Sequence, residues 1–250
     1  MEKTSTSSRS PLSPTLWGPD AFPIVLTILV GLGFVVMLFA GDGLGLVITH
    51  ANPRTVMNGP LSPLLVELQL IAYVPIVVYG LVTVPLLARR SLGDLGLRLP
   101  RRSDILAGIV GAVAMFAAVS IVAAVQTFFA GEHEQAVVKL FERTREGPTL
   151  VWFVLITVVV APFVEEFVFR AFVFNALLRR MPFVAAAFAS CVLFAVSHTD
   201  PYALVPLTFG GAVLAAVYYR TGSLFASILT HGLFNGTSLF LILAKDRLHL

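Results

Sequence analysis

Six polar side chains lie deep within apolar sequence: Glu165, Glu166, Arg170, His198, His231 and Asn235. The first three belong to the run PFVEEFVFRAF, Pro162 to Phe172. An Arg or Asp at the centre of a membrane helix costs roughly 2.5–3.5 kcal/mol on insertion scales, so three ionisable groups in one span imply partners or a task. Carboxylates and imidazoles move protons, and imidazole and amide N–H groups stabilise developing negative charge. Glu166 and Arg170 stand i,i+4, on one helix face and suited to an ion pair. Glu165 sits about 100° round the same helix, free to face a cavity while Glu166 pairs. His231 and Asn235 share one face of another helix, and Phe194 and His198 repeat the spacing on a third.

The elements that must position these groups are membrane spans. Hydrophobic residues make up 57% of the 250 and charged residues 12%, where a soluble domain is nearer about one quarter charged. The formal charge of +3 is small and dispersed, which argues against a nucleic-acid partner. A single cysteine, Cys191, excludes an intrachain disulfide and a Cys-based metal site, and its apolar surroundings predict a buried, inert thiol.

Residues 1–21 read as a polar, flexible tail. Residues 22–40 are long enough to span as a helix, with a stretch too long for a cleaved signal peptide. A loop is expected over 41–63, a second span over 64–88, and a basic connector, SLGDLGLRLPRRS, over 91–103. The third span, 104–129, begins at a Ser103 or Asp104 cap. Residues 132–146 place Val137, Val138, Leu140 and Phe141 among charges, as a surface helix or a solvated loop helix would. The fourth span, 148–178, carries Pro162 at its middle and is expected to bend or break there. Spans over 182–198, 203–219 and 222–244 complete a count of seven, within a range of six to eight. Gly210, Gly211 and Gly222 would permit close helix approach.

The expected fold is thus an all-α polytopic transmembrane helix bundle: a tail (1–21), two N-terminal helices (22–90) and a core (91–244). With the N-terminus inside, ten of the 17 Lys and Arg residues fall on the inner side and six outside, which predicts a cytoplasmic N-terminus. Glu67, near the start of span two, reads as an interfacial side chain. At about 1.5 Å per residue, Glu165, His198 and His231 lie about 22, 24 and 16 Å from Arg180, Pro182 and Arg220, respectively. In a core about 30 Å thick that puts all three between the midplane and the far side, where they can meet.

The series E-E-x-x-x-R (Glu165, Glu166, Arg170), F-x-x-x-H (Phe194 to His198) and H-x-x-x-N (His231 to Asn235) resembles the CPBP family of intramembrane proteases. That family includes the CAAX prenyl endopeptidases and bacterial bacteriocin-processing and self-immunity proteins. The resemblance covers about residues 91–244, and SLGDLGL is similar to the entry of that domain. It implies an intramembrane endopeptidase cleaving a membrane-associated, lipidated or leader-bearing peptide in a bacterial plasma membrane. Glu165 and His198 would activate water, His231 and Asn235 would stabilise the oxyanion, and Glu166 with Arg170 would support the site. Metal-free water activation is preferred, and a Zn2+ site of Glu165, His198 and His231 with an open position is the alternative. The expected partners are the lipid bilayer and a peptide or protein substrate.

Singly, each motif has a plainer use: a buried ion pair, an interfacial histidine, or interhelical hydrogen-bond glue. A proton-coupled transporter would also hold Glu, His and Arg at mid-depth, with an internal repeat that this chain does not display. A non-catalytic membrane immunity or scaffold protein would lack a motif position, and none is missing.

Overall fold

The computed structural model describes residues 24–50, 63–88, 91–131, 148–198 and 200–248. The tail, part of the 41–63 loop, the expected surface helix over 132–146 and the side chain of Glu67 lie outside the described residues.

Among the described residues the main helical segments number seven, and there is no strand. They are α1 (Ile24–Thr49), α2 (Pro63–Ala88), α3 (Arg102–Ala130), a composite α4, α5 (Phe183–Ser197), α6 (Leu204–Thr221) and α7 (Leu224–Leu248). Within them, Gly31–Thr49, Arg102–Ala130, Thr149–Leu178 and Leu224–Ala244 are long and apolar enough to cross a membrane, while Leu68–Val82 and Phe183–Ser197 are shorter apolar stretches. The fold is an all-α membrane helix bundle. Apolar side chains such as Val113, Phe128, Phe129 and Phe240 are exposed at its periphery, as lipid-facing groups are.

One expectation about α1 is corrected. The helix continues through Gly41-Asp42-Gly43-Leu44-Gly45 to Thr49, so residues 41–49 are not loop and the rod includes Asp42. The reason is packing against α2: a Cβ on Gly41 would lie 2.4 Å from the Ala72 carbonyl oxygen, and one on Gly45 would meet Leu68. Small residues four apart let two backbones close together, which outweighs the poor helix propensity of glycine.

α3 starts two residues before its acidic residue. Arg101 is the residue before the helix, and Asp104, inside the first turn, accepts from the Arg101 N–H at 2.7 Å and from Arg98 at 2.7 and 3.0 Å. Neither Ser103 nor Asp104 is itself the cap residue. The Asp104 carboxylate holds the Arg98 guanidinium protonated well above its ordinary range.

α4 is helical throughout but changes winding. It runs as α-helix over Pro148–Leu155, π-helix over Ile156–Val160, α-helix over Ala161–Glu166, π-helix over Phe167–Phe174 and α-helix over Asn175–Leu178. The break expected at Pro162 is thus a pair of wide π turns that bracket the acidic pair, and such turns gather at functional sites.

A clamp closes the far end of α4. Asn175 Nδ2 donates to the Arg170 and Ala171 carbonyls at 3.3 and 3.1 Å and to Tyr218 Oη at 2.7 Å; Tyr218 donates to the Leu95 carbonyl at 2.8 Å. The Leu224 N–H donates to the Gly96 carbonyl at 3.0 Å. Gly96 has φ of 82°, and a Cβ there would meet the Gly222 carbonyl at 2.8 Å, so the connector SLGDLGL docks against the α6–α7 turn. Gly222 serves that turn, with φ of 60°, and is not a helix-crossing residue. Gly210 does sit at a crossing, against Met115 and Val119 of α3, and Gly211 lies against the buried Cys191 of α5.

Candidate active site

The polar residues of α4, α5 and α7 converge. Glu165 Oε2 stands 3.9 Å from His198 Nε2 and 3.8 Å from His231 Nε2. Both separations exceed a direct hydrogen bond. Glu165 and His198 keep side-chain exposures of 20% and 31%, whereas Glu166 and Arg170 are fully buried. One carboxylate faces accessible space and its neighbour faces the core, as their offset on the helix requires.

Each imidazole is oriented from behind. His198 ends α5, and its Nδ1 lies 2.8 Å from the Phe194 carbonyl. A carbonyl only accepts, so Nδ1 carries the proton and Nε2 is the atom turned to Glu165. The chain then turns away through Asp200, whose carboxylate accepts from the Tyr202 N–H at 3.0 Å. His231 Nδ1 lies 3.1 Å from Glu166 Oε1, which fixes its Nδ1–H in the same way. The F-x-x-x-H spacing also stacks Phe194 edge-on to both imidazoles, at centroid separations of 4.8 and 5.8 Å.

Glu166 is the hub beneath this surface. Oε1 takes His231, and Oε2 takes the Ser227 hydroxyl at 2.5 Å and stands 3.2 Å from Arg170 Nε. The Arg170 contact is an ion pair whose N–H direction misses hydrogen-bond geometry, and none of the three guanidinium nitrogens has a hydrogen-bond partner among the described residues. The guanidinium instead lies 4.9 Å from the centre of the Phe194 ring, a cation–π arrangement. Arg170 is therefore held by charge and by a ring face.

Asn235 reaches a different neighbour. Its Nδ2 donates at 2.8 Å to the Thr157 carbonyl in the first π turn of α4, so one amide N–H is committed there and one is left.

Two residues missed in the sequence belong to the setting. Ser227 precedes His231 by four, so the same spacing that links His231 to Asn235 could have found it. Tyr73 had no such signal. It comes from α2, packs against the core that holds Val160 and Phe163, and interacts with Gln69 one turn earlier and with the charge of Glu165.

Zinc donors at about 2.0–2.1 Å stand roughly 3.3 Å from one another in a tetrahedral site. The separations at Glu165 are wider, and no group of three His, Cys, Asp or Glu side chains among the described residues is close enough to hold an ion.

Comparison with known proteins gives the site a context. Residues 147–237 match the family model Type II CAAX prenyl endopeptidase Rce1-like, a span that holds α4 to α6 and His231 and Asn235 of α7. The chain is similar to "Membrane-embedded CAAX protease MroQ" of Staphylococcus aureus (strain USA300), with 33% identity over 39% of this chain and 41% of that protein. It is also similar to "Putative membrane peptidase YdiL" of Bacillus subtilis (strain 168), 32% identical over 33% of this chain and 34% of that protein. The matched region spans about a third to two fifths of the length of these curated relatives. No solved structure matches. The resemblance carried by the three motifs is borne out over 147–237, the part of the chain that matches that family model.

Proposed function

We propose that this protein is an intramembrane endopeptidase of the CAAX-protease type, with Glu165 as the general base. The observation that carries the reading is the convergence of one partly exposed carboxylate oxygen with two imidazole Nε2 atoms at 3.8 and 3.9 Å. Those gaps are too long for direct bonds and suit a water that donates one proton to Glu165 and the other to the lone pair of His198 Nε2. As the water oxygen bonds to the scissile carbonyl carbon, Glu165 takes its proton. When the C–N bond breaks, Glu165 returns that proton to the leaving amine.

The negative charge on the former carbonyl oxygen falls to α7. His231 Nδ1–H is committed to Glu166, so donation through Nε2 requires the doubly protonated ring, beside two carboxylates. The second N–H of Asn235 is the other donor of the oxyanion pair. Glu166 and Arg170 act from beneath by orienting His231.

Two relatives bear names that include "membrane peptidase" and "CAAX protease", which supports the reaction class. The substrate class is a membrane-associated, lipidated or leader-bearing peptide, and the excess of basic residues on one side supports a cytoplasmic N-terminus. The test is a proteomic comparison of membranes carrying wild-type protein or Glu165→Ala at equal abundance. Peptides released only by the wild type are expected. Identical profiles, with the wild type also inactive on prenylated and leader-bearing peptides in vitro, sink the reading.

A further inference from the structure

The proline in α4 has a second consequence, at a place the roles above do not use. In the π turn over Ile156–Val160 the Ala161 N–H donates back five residues to the Ile156 carbonyl. The next bond in that register would run from residue 162 to the Thr157 carbonyl, and residue 162 is a proline, which has no N–H. In α register the same missing donor would have served Val158. Pro162 thus withholds one N–H, whose helical acceptor would be the Thr157 carbonyl in π register or the Val158 carbonyl in α register.

Both carbonyls face α7. Asn235 Nδ2 donates to the Thr157 carbonyl at 2.8 Å. Gly232, three residues earlier and on the same face, lies against the Val158 carbonyl so closely that a Cβ would stand 2.5 Å from its oxygen. Gly236 faces the Val158 side chain, where a Cβ would find ordinary contacts at 3.6 and 3.7 Å. His231 adjoins Gly232 in the chain, so this contact sets how far His231 is carried toward Glu165 and Glu166.

We infer that Asn235 is a positioning residue that replaces the backbone donor absent at Pro162, and that the Thr157–Val158 carbonyl pair is the seat on which α7 docks. The inference rests on the protease reading only for its effect on rate; the docking itself is independent of it. A buried carbonyl left unpaired is costly in an apolar medium. Asn235 removes that cost, and Gly232 supplies the room.

The test is a double-mutant cycle on the purified full chain in detergent: wild type, Asn235→Ala, Pro162→Ala, and both together. Asn235→Ala is expected to lower Tm by roughly 3–8 °C when residue 162 is proline, from one unsatisfied carbonyl in a chain of this length. With alanine at 162 a backbone N–H is restored and the same substitution should cost less than about half as much. Equal losses in both backgrounds overturn the inference. A second readout does not depend on Pro162→Ala folding: a 13C=18O label at Thr157 should move to higher amide I frequency in Asn235→Ala, and an unmoved band overturns the bond.

For positioning, kcat is expected to fall about 10-fold or more in Asn235→Ala at temperatures where it is folded, with KM within about 3-fold of wild type. Gly232→Ala, which leaves Asn235 intact, is expected to show the same split. A Gly232→Ala protein with wild-type kcat and a wild-type Thr157 band removes the seat from the mechanism. If Glu165→Ala retains activity while the Tm cycle is coupled, the docking stands and the protease assignment falls.

Discussion

Two buried polar groupings in this bundle are built on opposite principles. The clamp of Asn175, Tyr218, Leu95 and Gly96 is closed: both side chains are nearly inaccessible, and each bond within it is between 2.7 and 3.3 Å. The grouping around Glu165 is closed beneath and open above. Glu166 spends both oxygens on His231, Ser227 and Arg170, while Glu165 and the two Nε2 atoms stand 3.8–3.9 Å apart with exposure retained. Satisfied polar networks in a low-dielectric interior fix one geometry. Unspent donors and acceptors held by such a network are available for a reaction. The difference between structural and reactive polarity here lies in what remains unpaired, since both groupings use the same kinds of atom.

The sharpest way to break this comparison is to exchange the effects. Glu165→Ala should cut peptide cleavage by about 10²–10⁴-fold, the range for a general base, while shifting Tm little. Tyr218→Phe should do the reverse, and a Glu165→Ala protein that unfolds would move Glu165 into the structural class.

Glu166→Ala comes next. It leaves the fully buried Arg170 without its counter-charge, and breaking a buried pair in this way costs about 3–5 kcal/mol. Thermal unfolding in detergent should show a collapse of Tm, and Glu166→Gln should recover part of it through the Ser227 contact.

Tyr218→Phe removes the donor to the Leu95 carbonyl and should cost about 1–3 kcal/mol with kcat per folded molecule unchanged. A lowered kcat in the folded variant would make the clamp part of the chemistry.

Tyr73→Phe is a finer probe of where the open site ends. Loss of a hydroxyl in the field of Glu165 should lower kcat, by less than about 10-fold. An unchanged kcat would confine the site to α4, α5 and α7. The smallest expected effect is that of chelators: preincubation with 1,10-phenanthroline should leave kcat/KM within about 2-fold, and a loss restored by Zn2+ would favour the metal site instead.

Much of this site is legible in the sequence because ionisable groups in apolar runs are so costly that each one is informative. Glu166 with Arg170, and His231 with Asn235, follow from i,i+4 spacing alone. The extension of α1 through its glycines is not legible, since propensity predicts a loop and only the Ala72 backbone opposite Gly41 explains the helix. Nor is the partner of Arg170's guanidinium face, because a ring on α5 carries no sequence mark of what lies over it.

The sequence by itself determined that the chain is a bundle of apolar helices and which six side chains must find partners, because burial costs are local properties of residue type. Tertiary structure alone decided the contacts of Glu166 with His231 and Ser227, the engagement of Asn235 with Thr157, and the approach of Tyr73 from α2. Those depend on helix winding and on contacts between segments far apart in the chain. A single proline, by withholding one N–H, ties the two levels together: its identity is written in the sequence, and what answers it is seventy-three residues away.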